Sequence, residues 1–446
     1  MKAIRASLLW FSGQGAMVRA NLEDDGLLII GTSDPNPGRE VILAAGPYQT
    51  TLKKWNFDHP DALINGHIEN LKGRILAPGF IDLHVHYPQL DVIGSPASGL
   101  LTWLNQYTFK QEQRFADPTH SAEVASLFLD ELERHGVTTA LTFATAHTAS
   151  VNALFEAAQG RHMRLITGLC LMDQHAPGGL CNDTEQSLVD SELLIQRWHG
   201  VDRLGYAISP RFVPSCSAAQ LKGAGLLAAQ YPDVWIQSHV AENMDEIAWV
   251  KRLYPEERSY LSVYDHFGLL RERSLYAHCL HLDAPDFELL RHRHTAAAIC
   301  PTSNLFLGSG FFDYQAAEQH GFLYGLASDV GGGTSLSPFA TMLAAFYIAQ
   351  NAPPHQRAAY STKPQHLWWQ HTAGAAQALG LEGVVGNLMP GCDADVLVLN
   401  PQASPLLARR TAQAQNLDEL LFALIVLGDD RLIERTLLAK TTRGDP

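Results

Sequence analysis

Three things are scarce in this chain, and each scarcity excludes something. No apolar run approaches the ~18 residues of a membrane span, so no membrane partner is expected. The N-terminal stretch starts basic, but its apolar part is too short for a secretion signal. Basic residues are outnumbered: 32 Lys and Arg face 46 Asp and Glu, a net charge of -14. Nucleic-acid affinity rests on phosphate neutralisation, so a nucleic-acid partner is not expected. Cysteine is sparse too, six in 446 residues, with no Cys-x-x-Cys. That pattern gives no disulfide framework and suits a reduced, cytoplasmic enzyme. No Gly-x-Gly-x-x-Gly follows the first long strand pattern, and Gly331-Gly332-Gly333 lacks the lysine of a phosphate loop.

What is present begins with Pro78-Gly79-Phe80-Ile81-Asp82-Leu83-His84-Val85-His86. In a strand alternate residues share a face, so His84 and His86 project together. Two neutral imidazoles held that way are half of a metal site. A lone His-x-His is common and often inert, so its meaning depends on the rest of the chain.

The rest of the chain has a rhythm. Short apolar runs recur at Phe80–His86, Val137–Phe143, Arg164–Met172, Leu204–Pro210, Val234–Val240, Ser274–Cys279, Thr295–Cys300 and Leu323–Asp329, separated by helix-length segments. Most are apolar on both faces, as buried parallel strands are. Between the first two, Val124, Leu127, Phe128 and Leu132 predict a helix that Ser121 caps and Gly136 closes. Eight such units predict an α/β fold, a (β/α)8 TIM-like barrel over residues 76–385. Strand-like pieces at Leu27–Ile30 and Glu40–Ala44, broken around Pro35, Pro37 and Gly38, and a further run at 394–401 lie outside it. They predict a small β-sandwich domain from both termini, residues 1–75 and 386–446.

Three later runs end in residues that a buried strand does not tolerate unpartnered: His239, His278 and Asp329. A strand-end aspartate is often only a helix cap, and a strand-end histidine often only a satisfied core residue. Here His84, His86, His239, His278 and Asp329 all sit at C-terminal strand ends, the face where such barrels carry their sites. That concentration predicts a metal site of N/O ligands, suited to Zn2+ or Fe2+ with an open position. Glu242, three residues after His239, is placed to move protons, although a carboxylate there also suits a helix start. His147 and His175 follow strands two and three and are left open as pocket residues. His292 and His294 fall in a charge run and read as a solvated helix face.

At this point the motifs resemble the amidohydrolase superfamily, and within it the guanine deaminase family, over roughly residues 70–400. The matching pieces are Pro78–His86 with Tyr87-Pro88-Gln89, Trp103–Phe109 followed by Arg114-Phe115, Pro210-Arg211-Phe212, Ser238–Asn243, Ala277-His278, Cys300–Asn304 and Ser328–Gly332. The resemblance implies one Zn2+ per chain, with Fe2+ second, held by His84, His86, His239 and Asp329. His278 then lies beside the activated water, Asp329 takes the water proton, and Glu242 protonates the ring. It implies Gln89, Arg211, Phe212 and Trp103 as substrate contacts, guanine as substrate, xanthine as product, and a homodimer. No lysine occurs in strands two to eight, so the bridged two-metal variant is not expected. Two other readings compete: a sister aminohydrolase acting on another purine or a triazine-like ring, and a barrel without catalysis serving as an interaction scaffold. The Gln89 and Arg211-Phe212 set favours guanine, and the complete ligand set argues against the scaffold.

Overall fold

The computed structural model describes residues 1–33, 36–60, 64 and 67–440. A mixed sheet comes first: β1 (Lys2–Ser12), β2 (Arg19–Ser33), β3 (Asn36–Pro47) and β4 (Ile68–Pro78). The barrel strands follow: β5 (Phe80–His86), β6 (Val137–Phe143), β7 (Arg164–Gly168), β8 (Cys170–Leu171), β9 (Leu204–Pro210), β10 (Trp235–Val240), β11 (Ser274–His278), β12 (Ala296–Ile299) and β13 (Leu323–Leu326). β14 (Val396–Leu399) and β15 (Ile433–Leu437) return to the first sheet.

The eight predicted runs are these barrel strands, the third being split into β7 and β8. The sheet order is β13-β12-β11-β10-β9-β7-β6-β5, with parallel pairings throughout and β8 on β9. Every residue of β5, β6 and β9 is buried, because helices cover the outside and side chains fill the inside. Ile81, Leu83, Leu141, Ile166, Ala207, Leu275 and Ala298 pack the barrel interior. The ring closes just beyond β13, where Asp329 N–H donates to His84 O (2.9 Å) and His86 N–H donates to Val330 O (2.8 Å). The predicted (β/α)8 barrel is therefore borne out.

β5 is not a regular strand. Asp82 pairs with Ala140 and Val85 with Thr142, so three steps on β5 oppose two on β6. This is a β-bulge. It lets Ile81 and Leu83 fill the interior while Val85 turns to the outer core. His84 and His86 then face the barrel mouth side by side.

The terminal sheet runs β15-β14-β4-β1-β2-β3. Its apolar face buries Ile4, Leu8, Leu28, Ile42, Leu76, Val396 and Val398. Pro37 and Gly38, read as breaks, lie within β3, whereas Pro35 lies outside the described residues. A buried ion network joins this sheet to the barrel. Arg203 pairs with Asp395 and with Asp393 (3.3 Å), and Arg164 pairs with Asp393 (2.7 Å). Arg203 also donates to the backbone oxygens of His162 (2.8 Å) and Ala439 (3.2 Å), and Ala439 N–H donates to Asp395 (3.0 Å). The helix Leu417–Leu427 packs on the barrel helices Pro338–Asn351 and Pro364–Gln370.

The helix expected at Ser121 starts earlier. It spans Pro118–Arg134, with Asp117 as its cap accepting from Thr119 N–H. Pro118 fixes the first helical φ and needs no partner for its nitrogen, which moves the start upstream. Ser121 is buried within the helix and donates to Phe115 O, while Leu127 is half exposed. Among the described residues no helix is long and apolar enough to cross a membrane.

Candidate active site

The polar strand ends meet at the barrel mouth. His84 Nε2 lies 3.1 Å from Asp329 Oδ1 and 3.1 Å from His86 Nε2. His86 Nε2 lies 3.2 Å from His239 Nε2 and 3.4 Å from Asp329 Oδ1. His278 Nε2 lies 3.7 Å from Asp329 Oδ2 and 3.3 Å from Glu242 Oε2. His84, His239, His278 and Asp329 offer ligand atoms within 4.8 Å of one another, and the distances above bring His86 into the same cluster.

Two of these rings have their tautomers set by neighbours. His239 Nδ1–H donates to Arg211 O (2.6 Å), which leaves Nε2 with a bare lone pair. His278 Nδ1–H donates to Asn304 Oδ1 (2.9 Å), with the same consequence. Burial and the neighbouring histidines hold His239 well below the usual histidine range, and burial brings His86 down to about 4. Neutral rings with converging lone pairs are what a divalent cation requires. Bonds of ~2.0–2.1 Å in a tetrahedron put neighbouring ligand atoms ~3.3–3.4 Å apart. Four spacings among His84, His86, His239 and Asp329, 3.1–3.4 Å, are close to that edge length.

Burial pushes the Asp329 carboxyl up, but hydrogen bonds from His84 and His86 outweigh it and hold the group well below the carboxylate range. Glu242 is the opposite case. Burial first, then the Asp329 charge, raises it to about 8, against one stabilising hydrogen bond from Ser309 (2.9 Å). The two carboxyls that flank His278 Nε2 are thus pushed in opposite directions, an arrangement suited to a base and an acid. The backbone supports this geometry at a cost. Ala241, His278 and Asp329 have φ of 51°, 74° and 50°. Each costs ~1–3 kcal/mol for a non-glycine residue, and such positions cluster at functional sites.

Beside the cluster lies a cavity of about 430 Å³, counting its mouth. Gln89, Trp103, Arg211, Phe212, Glu242, His86, His239, His278 and Asp329 line it, with Leu100, Leu104 and Leu307 as apolar wall. Every site residue expected from the sequence is therefore gathered here; His84 joins through the metal cluster. Phe212 stands edge-on to Trp249 (6.2 Å), and the buried Trp103 Nε1–H has no partner among the described residues. His147 and His175 do not line the cavity. His147 Nε2 pairs with Gly179 O, and His175 Nδ1 pairs with Pro214 O.

Several supporting residues escaped the sequence reading. Glu112, buried in the loop helices after β5, accepts from Gln89 Nε2 (2.9 Å) and Arg211 Nη1 (2.6 Å). Only the need of a buried arginine for a counter-charge hints at such a residue. Asp82 Oδ1 accepts the backbone N–H of His84 (3.2 Å) and Ser328 (3.0 Å). Glu246 accepts the N–H of Glu242 (3.1 Å) and of Asn243 (3.2 Å), and the Tyr260 hydroxyl (2.7 Å), and so holds the turn that carries Glu242.

The model of the amidohydrolase family matches residues 75–433. The chain belongs to the amidohydrolase family. The motif resemblance is borne out. Among members of this family, the guanine deaminase of Escherichia coli strain K12 is 41% identical over 369 residues, 83% of each chain. The solved structure of E. coli guanine deaminase matches the whole of both chains with a TM-score of 0.90 at 37% identity. The guanine deaminase of C. acetobutylicum, solved with guanine in its active site, matches 98% of both chains with a TM-score of 0.85 at 28% identity.

Proposed function

We propose that this amidohydrolase is a guanine deaminase, converting guanine and water to xanthine and ammonia. The observation that carries the reading is the coexistence, at one barrel mouth, of a closely spaced His/His/His/Asp cluster, a carboxyl raised to about 8, and a Gln89–Arg211 pair able to read a purine edge. The relatives named above support the choice of base.

His84, His86, His239 and Asp329 would hold the cation, which we take as one Zn2+ because the donors are imidazole nitrogen and carboxylate oxygen, with room left for a water. A bound divalent cation lowers the pKa of water from ~15.7 toward ~7. The chain's residues do the rest. Arg211 donates to the C6 oxygen of guanine, and the Gln89 amide donates and accepts along the same edge. Phe212 and Trp103 hold the ring's faces and rim. As the water oxygen bonds to C2, Asp329 takes one water proton and Glu242 gives its proton to N3. His278, facing both carboxyls, orients the water. When the C2–amine bond breaks, the proton on Asp329 reaches the departing nitrogen by way of Glu242. Ammonia leaves, and the hydroxyl proton on C2 restores Glu242.

The homodimer, the cytoplasmic setting and a barrel domain bounded at residues 76 and 385 belong to the same proposal. Its test is direct. Zinc-loaded protein is incubated with guanine, and xanthine is followed by absorbance, with adenine, cytosine and 8-oxoguanine in parallel. Guanine should be turned over best; failure on guanine overturns the reading.

A further inference from the structure

We propose that Glu112 is the positioning residue that sets the base selectivity of this site, by fixing Gln89 and Arg211 in one donor–acceptor pattern. The proposal rests on Gln89 and Arg211 being the base readers.

A primary amide can turn over and exchange donor for acceptor at almost unchanged shape. Gln89 cannot do so here. Its Nε2–H donates to Glu112 Oε1 (2.9 Å), a carboxylate that only accepts. Its Oε1 accepts from Gly331 N–H (3.1 Å), a group that only donates. Both neighbours demand the same orientation. One N–H and one lone pair of the amide are left for a ligand. Arg211 is held by the other oxygen of the same carboxylate, Nη1 to Oε2 at 2.6 Å, with the Phe109 ring 5.3 Å from its guanidinium carbon. A buried guanidinium requires a counter-charge, and Glu112 is the carboxylate that pairs with it among the described residues. Glu112 is itself fully buried and is not part of the cavity wall. It acts on a bound base only through its two partners.

One carboxylate thus couples two readers. The pattern it enforces is donors at the arginine and a fixed donor–acceptor pair at the glutamine. That matches a ring carbonyl next to a ring N–H, the C6–N1 edge of guanine. 2-Aminopurine keeps the C2 amine and N3 of guanine but lacks the C6 oxygen. It needs the deaminating groups and not the edge that Glu112 organises.

The experiment compares full-length, zinc-loaded wild type with Glu112→Gln and Glu112→Asp on guanine and 2-aminopurine. Where 2-aminopurine turnover is too slow, its Ki against guanine is read instead. Glu112→Gln should lower kcat/KM for guanine at least ~10-fold, mostly through KM, because hydrogen bonds to a charged group are lost from the readers. The value for 2-aminopurine should move less than ~3-fold, so the discrimination ratio collapses. A general disturbance of the fold would lower both substrates alike, and that outcome overturns the proposal. So does an unchanged guanine value. If Glu112→Gln does not fold, as judged by thermal melting, Glu112→Asp carries the same two outcomes. It keeps the charge but is one methylene too short to reach both partners. If neither variant folds, Glu112 serves stability and the proposal falls. Wild type inactive on both bases overturns the guanine reading together with this one, whereas active wild type with an unmoved ratio overturns this one alone.

Discussion

Glu242 is the residue whose environment does most to define the chemistry. Protonated at neutral pH, it can give a proton to the ring; ionised, it cannot. Activity in kcat/KM should therefore fall as pH rises through the Glu242 pKa, which is about 8 while the Asp329 charge is unshared. A cation sharing the Asp329 charge weakens the repulsion that raises Glu242, so the limb moves below 8 in the loaded enzyme. Ser309→Ala removes the hydrogen bond that favours the ionised form, and the alkaline limb should shift to higher pH than in wild type. Glu242→Gln should keep the metal, by elemental analysis, and lose ~10²-fold or more in kcat, the usual weight of a general acid. An active Glu242→Gln variant would remove Glu242 from that role. At this scale the sequence was readable wherever a polar residue ended an apolar strand: His84, His86, His239, His278 and Asp329 are all of that kind. Glu112 and Ser309 were not readable. Each lies in a loop or short helix, where a carboxylate or hydroxyl is ordinary, and its partner is distant in sequence.

Among the elements, the bulged β5 bears most on the site. An unbroken alternation would put Leu83 and Val85 on one face, yet they belong to the interior and the outer core respectively. The extra residue is stabilised by Asp82, whose carboxylate accepts the N–H of His84 and of Ser328 and so ties β5 to the end of β13. Asp82→Ala leaves two buried N–H groups unpaired, at ~1–3 kcal/mol each. We expect a loss of ~2–4 kcal/mol in urea unfolding together with weaker zinc retention on dialysis. Asp82→Asn, which keeps an accepting oxygen, should recover most of both. The eight strands could be read from apolar runs because burial on both faces leaves a plain signature. The bulge could not, because a one-residue insertion in register changes pairing without changing composition. The start of the helix Pro118–Arg134 was misplaced for a local reason: Asp117-Pro118 outranks a serine further along as a helix start.

For the whole molecule, the question is how the terminal sheet stays with the barrel. Arg203, Arg164, Asp393 and Asp395 form that joint in full burial, with the backbone of Ala439 bonded to Arg203 and Asp395. Removing one member of a buried ion network costs ~3–5 kcal/mol, because the remaining charges stay desolvated. Arg203→Ala should lower stability by that order and make the segment around 436–440 an early site of limited proteolysis. Wild-type resistance in the variant would show that the apolar contacts of β14 and β15 suffice. The joining of β structure from both termini was legible from their strand-like runs, and this joint was not: Arg164, Arg203 and the Asp393–Asp395 turn lie in three separate segments that share no pattern until the chain folds.

The closure of the barrel has a consequence for how the protein comes into being. Asp329 and His84 are neighbours in space, bonded through backbone and side chain, but almost the whole barrel separates them along the chain. A nascent polypeptide that has made β5 already carries two histidines and cannot yet form the cluster. The fourth group arrives only when the last strand docks against the first. Contacts of such long range form late. On the proposed reading, capture of a divalent cation by all four groups together is therefore a stamp of completed assembly, and a misassembled chain should keep the metal less well.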